Sequence, residues 1–129
     1  MTIVHAISPV FLVADVGATA RWYRETLGFA FDHFPQAEPF EWAGMQHGGA
    51  QIMLARSPGY AKPDLDSLRP DGVWNAYLYV SGLDEFYARI ADKAEVRRPP
   101  CPQPYGLREF EIADPNGYVL VFGERMPAS

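Results

Sequence analysis

The feature that most constrains the fold is an internal repeat: each half of the chain has the pattern of a strand, a helix and three more strands. An offset of 67 residues places Val13 on Val80. An offset of 68 residues places GAQIML (49–54) on GYVLVF (117–122), so a one-residue insertion separates the two offsets. Repetition of this kind is typical of a duplicated supersecondary unit.

The repeat predicts an α+β fold of two tandem βαβββ modules that form curved mixed sheets. One such unit buries only one face of its sheet against its own helix. The other face, which we call the helix-free face, curves into a groove that a paired module or a ligand must cover. The single domain 1–129 then divides into module one at 1–56, a connector at 57–72 and module two at 73–129.

In module one, HAISPVFLVAD (5–15) alternates as a strand, and VGATARWYRETLG follows as a helix. Asp15 is the expected N-cap, and Gly28 stands where a helix often ends. FAFDHF and FEWAGMQ are predicted strands, and HGG (47–49) turns the chain into AQIMLA. A two-residue turn would put Phe40 and Trp42 on the helix-free face, whereas a three-residue turn would reverse them.

In module two, VWNAYLYV is a predicted strand and LDEFYARIADKA a predicted helix. The apolar stripe of that helix is Leu83, Phe86, Tyr87, Ile90, Ala91 and Ala94. A strand at 95–98 and a proline-rich loop, RRPPCPQPYG, are expected to follow.

The last hairpin, REFEIADPNGYVLVFGE (108–124), combines two different faces. Its DPNG segment suits a type I turn closed by a glycine bulge, which would set Ala113 opposite Val119 and Glu111 opposite Val121. One face then carries Phe110, Ile112, Leu120 and Phe122, and the other carries Glu109, Glu111, Val119 and Val121. The second face thus combines two carboxylates with two valines, unlike the uniformly apolar first face.

Composition excludes several classes of protein. The content of hydrophobic residues is 48% and that of charged residues 21%, which is typical of a globular protein. The net charge of −5 disfavours nucleic acid as a partner and favours a cationic ligand. No apolar run is long enough for a membrane span, and no secretion signal is evident. The single cysteine, Cys101, fits a reducing cytoplasm, where we expect the protein to be located.

Three segments resemble a known superfamily. FLVADVGATARWYRETLGF resembles the opening signature of the vicinal oxygen chelate proteins, and YGLREFEIADPNGYVLVFGE resembles their closing signature in the form typical of bleomycin-resistance proteins. VWNAYLYVSGLDEFYARI is similar to the middle segment of the same branch. The resemblance implies the fold of the glyoxalase, bleomycin resistance and dioxygenase superfamily, and a homodimer with two ligand grooves.

Enzymes of this superfamily hold a divalent metal with His, Gln or Glu at four strand positions. By the family's spacing, these positions are Ser8, Met53, Asn75 and Val121 in this chain. Such side chains do not suit a divalent metal, so we predict no metal and no cofactor. The histidines His5, His33 and His47 show no ligand spacing and are interpreted as structural or solvated.

Strand alternation from the four family positions predicts which side chains line the groove. Tyr77 and Tyr79 join Asn75, Glu109 and Glu111 join Val121, and Tyr105 lies at the rim. The predicted ligand-binding residues are Phe40, Trp42, Met53, Asn75, Tyr77, Tyr79, Tyr105, Glu109, Glu111 and Val121.

Aromatic rings and carboxylates together suit a planar or cationic organic molecule. With the resemblance, they favour metal-independent binding and sequestration of a bleomycin-like antibiotic, which has a cationic tail and a flat bithiazole. The alternative is an enzyme of the same superfamily, a lyase, isomerase or epimerase with Glu109 or Glu111 as base. A third interpretation leaves the face without a ligand, with the aromatic residues in a core or dimer interface and the carboxylates paired to Arg108 or Arg56.

Overall fold

The structure is a computed structural model that describes residues 1–69 and 72–128. The chain forms two compact units, Met1–Lys62 and a second that begins at Pro63. Each unit contains one βαβββ module, as the repeat predicts. Part of the predicted connector, Pro70 and Asp71, lies outside the described residues, as does Ser129.

Module one forms a four-stranded mixed sheet in the order β1-β4-β3-β2, in which β1 is parallel to β4 and the other pairs are antiparallel. Its elements are β1 (Val10–Val13), α1 (Val16–Trp22, continued by a π-helical turn at Tyr23–Leu27), β2 (Ala30–Phe34), β3 (Trp42–His47) and β4 (Ala50–Arg56). The first strand is shorter than predicted, because its pairing with β4 begins only at Val10.

Both predicted ends of the first helix are confirmed. The Asp15 carboxylate accepts a hydrogen bond from the Ala18 N–H at 3.0 Å, which satisfies one of the free donors of the first turn. Gly28 ends the helical segment with a φ of 85°, a left-handed conformation that glycine adopts without strain. The helix buries Val16, Ala20, Tyr23 and Leu27.

Module two has the same topology, in the order β5-β8-β7-β6. After a short 3₁₀ turn at Asp66–Leu68, its elements are β5 (Ala76–Tyr79), α2 (Leu83–Ile90), β6 (Glu95–Pro102), β7 (Leu107–Ala113) and β8 (Val119–Arg125). β5 is parallel to β8, so each module places its first and last strands side by side. None of the described helices is long and apolar enough to span a membrane.

The predicted hairpin register of module two is confirmed. Glu111 is opposite Val121 and Ala113 is opposite Val119. The turn closes with a hydrogen bond from the Gly117 N–H to the Asp114 carbonyl at 3.0 Å, and Gly117 has a φ of 89°. The apolar face packs under α2, where the Phe110 and Phe122 rings stack with centroids 5.1 Å apart.

Two predictions for module two are wrong. α2 ends at Ile90 instead of Ala94, because Ala91 to Lys93 form a turn in which the Lys93 N–H returns to the Ile90 carbonyl. The expected proline-rich loop is mostly strand: β6 continues through Pro99, Pro100 and Pro102. Proline is tolerated there because β6 is the edge of its sheet and its pairing with β7 contains two register shifts.

Candidate ligand-binding site

The helix-free face of module two contains two rows of side chains that cross the sheet. Strand register places Tyr77, Val121 and Glu111 in one row. It places Tyr79, Gly123 and Glu109 in the next row. The residues predicted to share this face are therefore brought together, with the two carboxylates two residues apart on β7.

Glu109 is the centre of this arrangement. Its side chain is completely buried, yet it carries a carboxylate. The Tyr77 hydroxyl donates to Glu109 Oε2 at 2.6 Å, and the Tyr105 hydroxyl donates to the same oxygen at 2.7 Å. Glu109 Oε1 has no hydrogen-bond partner among the residues that the structure describes. Buried polar atoms are rarely left unsatisfied, so this oxygen indicates a position for a missing donor.

Gly123 makes the contact between Tyr77 and Glu109 possible. Tyr77 is opposite Val121, one row away from Glu109, so its ring must lean along the sheet across Gly123. A Cβ atom added to Gly123 would lie 2.0 Å from the Tyr77 hydroxyl oxygen, which no side chain allows. The glycine thus leaves the space through which the phenol reaches the carboxylate.

Both phenols of the site are held in the neutral form. Burial, followed by the hydrogen bond to Glu109, raises the pKa of Tyr77 above its ordinary value. The same two causes raise the pKa of Tyr105 to about 12. At neutral pH both hydroxyls therefore act as fixed hydrogen-bond donors to the carboxylate.

Glu111 differs from Glu109 because it has a cation beside it. Its Oε2 lies 3.2 Å from Arg98 Nη1, on the neighbouring strand β6. The two groups form an ion pair, although the guanidinium N–H is not aligned for a hydrogen bond to that oxygen. Neither arginine considered in the third interpretation is the partner: Arg108 pairs with Asp84, and Arg56 pairs with Glu41.

Three aromatic rings line the face next to the carboxylates. The Tyr77 and Tyr79 ring centroids are 4.9 Å apart, and those of Trp74 and Tyr77 are 5.7 Å apart. Tyr79 is 72% exposed and Trp74 is 42% exposed, so both rings present surface on which a ligand can stack. Val121, predicted in the same set, is completely buried beneath them.

The four family metal positions do not fit a metal in this chain. The Ser8 hydroxyl donates to the Gln51 carbonyl, and Asn75 Oδ1 accepts from the Val119 N–H at 2.8 Å. Both polar side chains are therefore engaged with the backbone of the neighbouring strand, and Met53 and Val121 offer no hard ligand. Among the described residues no group of three or more His, Cys, Asp or Glu side chains is arranged to hold a metal ion.

In module one, the HGG hairpin has a two-residue turn, because His47 is opposite Ala50. Trp42 therefore shares the helix-free face with Met53, and its indole ring covers Gly44. The prediction that Phe40 would join them is wrong. Phe40 precedes β3, so strand alternation does not reach it; it is buried and stacks on His33 with centroids 3.9 Å apart.

Phe40 instead borders an open cavity of about 380 Å³ at the start of α1. The cavity is lined by Ala14, Asp15, Val16, Glu38, Pro39, Phe40 and Arg56. Glu38 and Arg56 are engaged there in ion pairs with Arg21 and Glu41, and Asp15 caps the helix. The charged groups of this cavity thus already have partners in module one.

Sequence reasoning missed two residues of the site in module two. Gly123 carried one usable signal, since a glycine inside a strand often marks a close approach. Arg98 carried none, because the register shifts in β6 change which face its side chain occupies.

Cys101, opposite Glu109 on β6, accepts a hydrogen bond from Gln103 Nε2 at 3.3 Å.

Solved structures of similar fold include three informative ones. TioX from Micromonospora sp. ML1 is 20% identical, with a TM-score of 0.75 over 95% of this chain and 99% of that one. A glyoxalase-related enzyme from Clostridium phytofermentans is 16% identical, with a TM-score of 0.74 over 97% and 98% of the two chains. The bleomycin-binding protein of Streptomyces verticillus, solved with copper(II)-bleomycin, is 21% identical, with a TM-score of 0.68 over 99% and 100%.

At these identities the structural likeness establishes the fold alone. A search of curated proteins by sequence found no match. The family model for the Glyoxalase/Bleomycin resistance protein/Dioxygenase superfamily matches residues 2–122, nearly the whole chain. The repeated βαβββ topology, the hairpin register and this match agree, and the chain belongs to the glyoxalase/bleomycin resistance protein/dioxygenase superfamily.

Proposed function

We propose that the protein binds an organic small molecule on the helix-free face of module two, without metal and without turnover. The observation that carries this proposal is the buried Glu109 carboxylate, whose Oε1 has no partner among the described residues. The ligand we favour is a bleomycin-like antibiotic, which the protein would sequester. A structural relative solved with copper(II)-bleomycin supports this choice.

The chemistry of the face suits binding better than proton transfer by its tyrosines. The raised pKa values of Tyr77 and Tyr105 keep both phenols protonated, so they orient the carboxylate and do not serve as bases. The exposed rings of Trp74 and Tyr79 offer surfaces for a planar group. A flat bithiazole on the rings and a cationic tail near Glu109 would use both features.

Sequestration depends on affinity and slow release, since no transition state has to be stabilised. Rigid strands suit this role because the site loses little conformational entropy when the ligand binds. We further propose that the protein acts as a homodimer, as the family resemblance implies, and that it is located in the cytoplasm, with which its single cysteine is compatible.

The test is an isothermal titration of metal-free bleomycin into the protein at low salt, with Glu109→Gln as the variant. We expect saturable binding at one ligand per chain, weakened by a factor of about ten or more in the variant, since a hydrogen bond to a charged group is lost. Glu95→Gln is the matched control, because Glu95 is exposed at the start of β6 and its loss changes the net charge equally.

Absence of heat, together with no shift in melting temperature at a hundredfold excess of bleomycin, would remove bleomycin as the ligand. An equal loss of bleomycin affinity in Glu109→Gln and Glu95→Gln would mean that the ligand responds to the net charge of the protein and not to the Glu109 side chain.

A second candidate is an enzyme in which Glu109 Oε1 accepts a proton from a bound carbon acid and returns it to another position. The observation in its favour is the same unpartnered oxygen in a buried carboxylate, and a glyoxalase-related enzyme is among the structural relatives. Turnover in a substrate screen that is lost in Glu109→Gln and kept in Glu95→Gln would favour this candidate.

A further inference from the structure

We infer that the site selects organic cations that carry N–H donors, such as ammonium, amidinium or guanidinium groups, and that Glu109 alone recognises them. The inference rests on the proposed function for the location of the site. It goes further because it assigns different roles to two carboxylates that lie two residues apart on β7.

The first argument is charge. Glu111 is balanced by Arg98, whose Nη1 is 3.2 Å from its Oε2. Glu109 accepts hydrogen bonds from the neutral phenols of Tyr77 and Tyr105, and within residues 1–69 and 72–128 no cation lies at ion-pair distance from it. The uncompensated negative charge of the face is therefore on Glu109, and a cationic ligand would supply the missing counter-ion.

The second argument is the distribution of hydrogen bonds. Both phenols donate to Oε2, which leaves Oε1 as an acceptor without a donor among the described residues. A ligand N–H satisfies that acceptor, whereas a quaternary ammonium has no N–H to give. Ring faces attract both kinds of cation, so selectivity between them separates recognition by the carboxylate from recognition by the aromatic rings.

The third argument is that the orientation of the carboxylate is set from one side. Tyr77 passes across Gly123 and holds Oε2 from within the sheet. Tyr105 holds the same oxygen from the turn at 103–106 and is 52% exposed. Tyr105 is therefore the more accessible of the two donors, and we expect a ligand to displace its side chain while Tyr77 keeps the carboxylate in place.

The experiment compares three probes of similar size by isothermal titration into the unmodified protein: benzamidine, benzamide and phenyltrimethylammonium. Benzamidine is a flat cation with N–H donors, benzamide is its neutral counterpart, and phenyltrimethylammonium is a cation without N–H. A ligand of this size binds with a Kd on the order of 1 mM. We expect benzamidine to bind about tenfold more tightly than either of the other two.

The variants test whether Glu109 is responsible. Glu109→Gln should weaken benzamidine binding about tenfold. The double variant Arg108→Gln/Asp84→Asn removes an ion pair of module two that lies outside the site, without changing the net charge, and its benzamidine affinity should stay within about threefold of the unmodified protein. Circular dichroism and melting temperature confirm that each variant is folded.

Three results would overturn the inference: no benzamidine binding at about ten times the expected Kd, equal affinity for phenyltrimethylammonium, or equal losses in the single and double variants. The comparison of probes in the unmodified protein tests the inference even if a variant does not fold.

Bleomycin binding without selectivity among the probes refutes this inference but leaves the proposed function supported. Selectivity for benzamidine without bleomycin binding refutes sequestration of that antibiotic and supports the inference.

Discussion

The two modules have the same backbone plan and opposite chemistry on their helix-free faces. In module one the rows that cross the sheet are Val10, Met53 and Gly44, followed by Leu12, Ala55 and Trp42. In module two the corresponding rows are Tyr77, Val121 and Glu111, followed by Tyr79, Gly123 and Glu109. The first face is apolar, with Val10 56% exposed, and the second contains a buried carboxylate with two phenol donors.

This difference shows that one topology accommodates two helix-free faces of different chemistry, while the helix-facing residues are apolar in both modules. Phe110 and Phe122 pack under α2 in module two, and Ile52 and Leu54 are buried in module one. The helix-free face is therefore open to change, provided that polar groups placed there find partners. Glu109 replaces an indole ring at the equivalent position, Trp42, because Tyr77 and Tyr105 supply those partners.

In each module an aromatic ring also covers a glycine within a strand, and substituting Gly123 and Gly44 should produce the largest contrast. Gly123→Ala would push the Tyr77 phenol away from Glu109, and we expect a loss of about 2–3 kcal/mol in the free energy of unfolding from overpacking and a broken hydrogen bond. Gly44→Ala would meet the edge of the Trp42 ring at 2.7 Å, which a half-buried indole can relieve by rotating, at about 1 kcal/mol. Urea unfolding measures both.

The control is Tyr77→Ala, alone and combined with Gly123→Ala. Removing the ring removes the steric conflict, so the alanine at position 123 should cost much less in the double variant than in the single one. The idea that Gly123 provides the space for the Tyr77 ring would be contradicted by either of two results. One is additive losses of unfolding free energy for Tyr77→Ala and Gly123→Ala, and the other is equal losses for Gly123→Ala and Gly44→Ala.

Within module two, the two phenol donors should contribute unequally. Tyr77→Phe leaves Oε2 with one donor fewer inside the sheet, and we expect a loss of about 2 kcal/mol. Tyr105 is 52% exposed, so water can replace its hydroxyl and Tyr105→Phe should cost only about 0.5 kcal/mol. Urea unfolding of both variants, with the exposed Tyr79→Phe as reference, tests which loss of unfolding free energy is larger. A larger loss for Tyr105→Phe would show that the hydrogen bond from the turn at 103–106 stabilises Glu109 more than the one from Tyr77.

The smallest effect should appear at high pH. Tyr105 has a pKa raised from 10.0 to about 12, so its contribution to stability is complete below pH 10 and is lost as the pH rises through about 12. The difference in absorbance at 295 nm between the unmodified protein and Tyr105→Phe should follow a single phenol with a midpoint near 12. In Glu109→Gln that midpoint should fall towards 10.0. An unchanged midpoint would show that the Glu109 carboxylate does not contribute to the raised pKa of Tyr105.

Local turn chemistry explains what the sequence could predict. The DPNG segment determines a turn and a bulge, and these set the pairing of Glu111 with Val121. Asp15 and Gly28 similarly identify the two ends of the first helical segment. The face on which Tyr77, Glu109 and Glu111 lie then follows from alternation alone.

The remaining features depend on contacts that alternation does not describe. Alternation predicts the face of a side chain but not the direction in which the side chain is inclined. It therefore could not reveal that Tyr77 crosses Gly123, or that both phenols donate to the same oxygen of Glu109. Phe40 lies beyond the start of β3, where the period of two no longer applies. The pairing of Arg98 with Glu111 arises from the register shifts in β6.

The prolines of β6 have a consequence for how the protein meets other chains. β6 is the outer strand of its sheet, and an unprotected outer strand offers N–H and carbonyl groups to which another polypeptide can pair. Pro99, Pro100 and Pro102 have no N–H to donate, and the two register shifts make the strand irregular. This border of module two is therefore a poor template for intermolecular strand addition, which protects the protein against aggregation from that side.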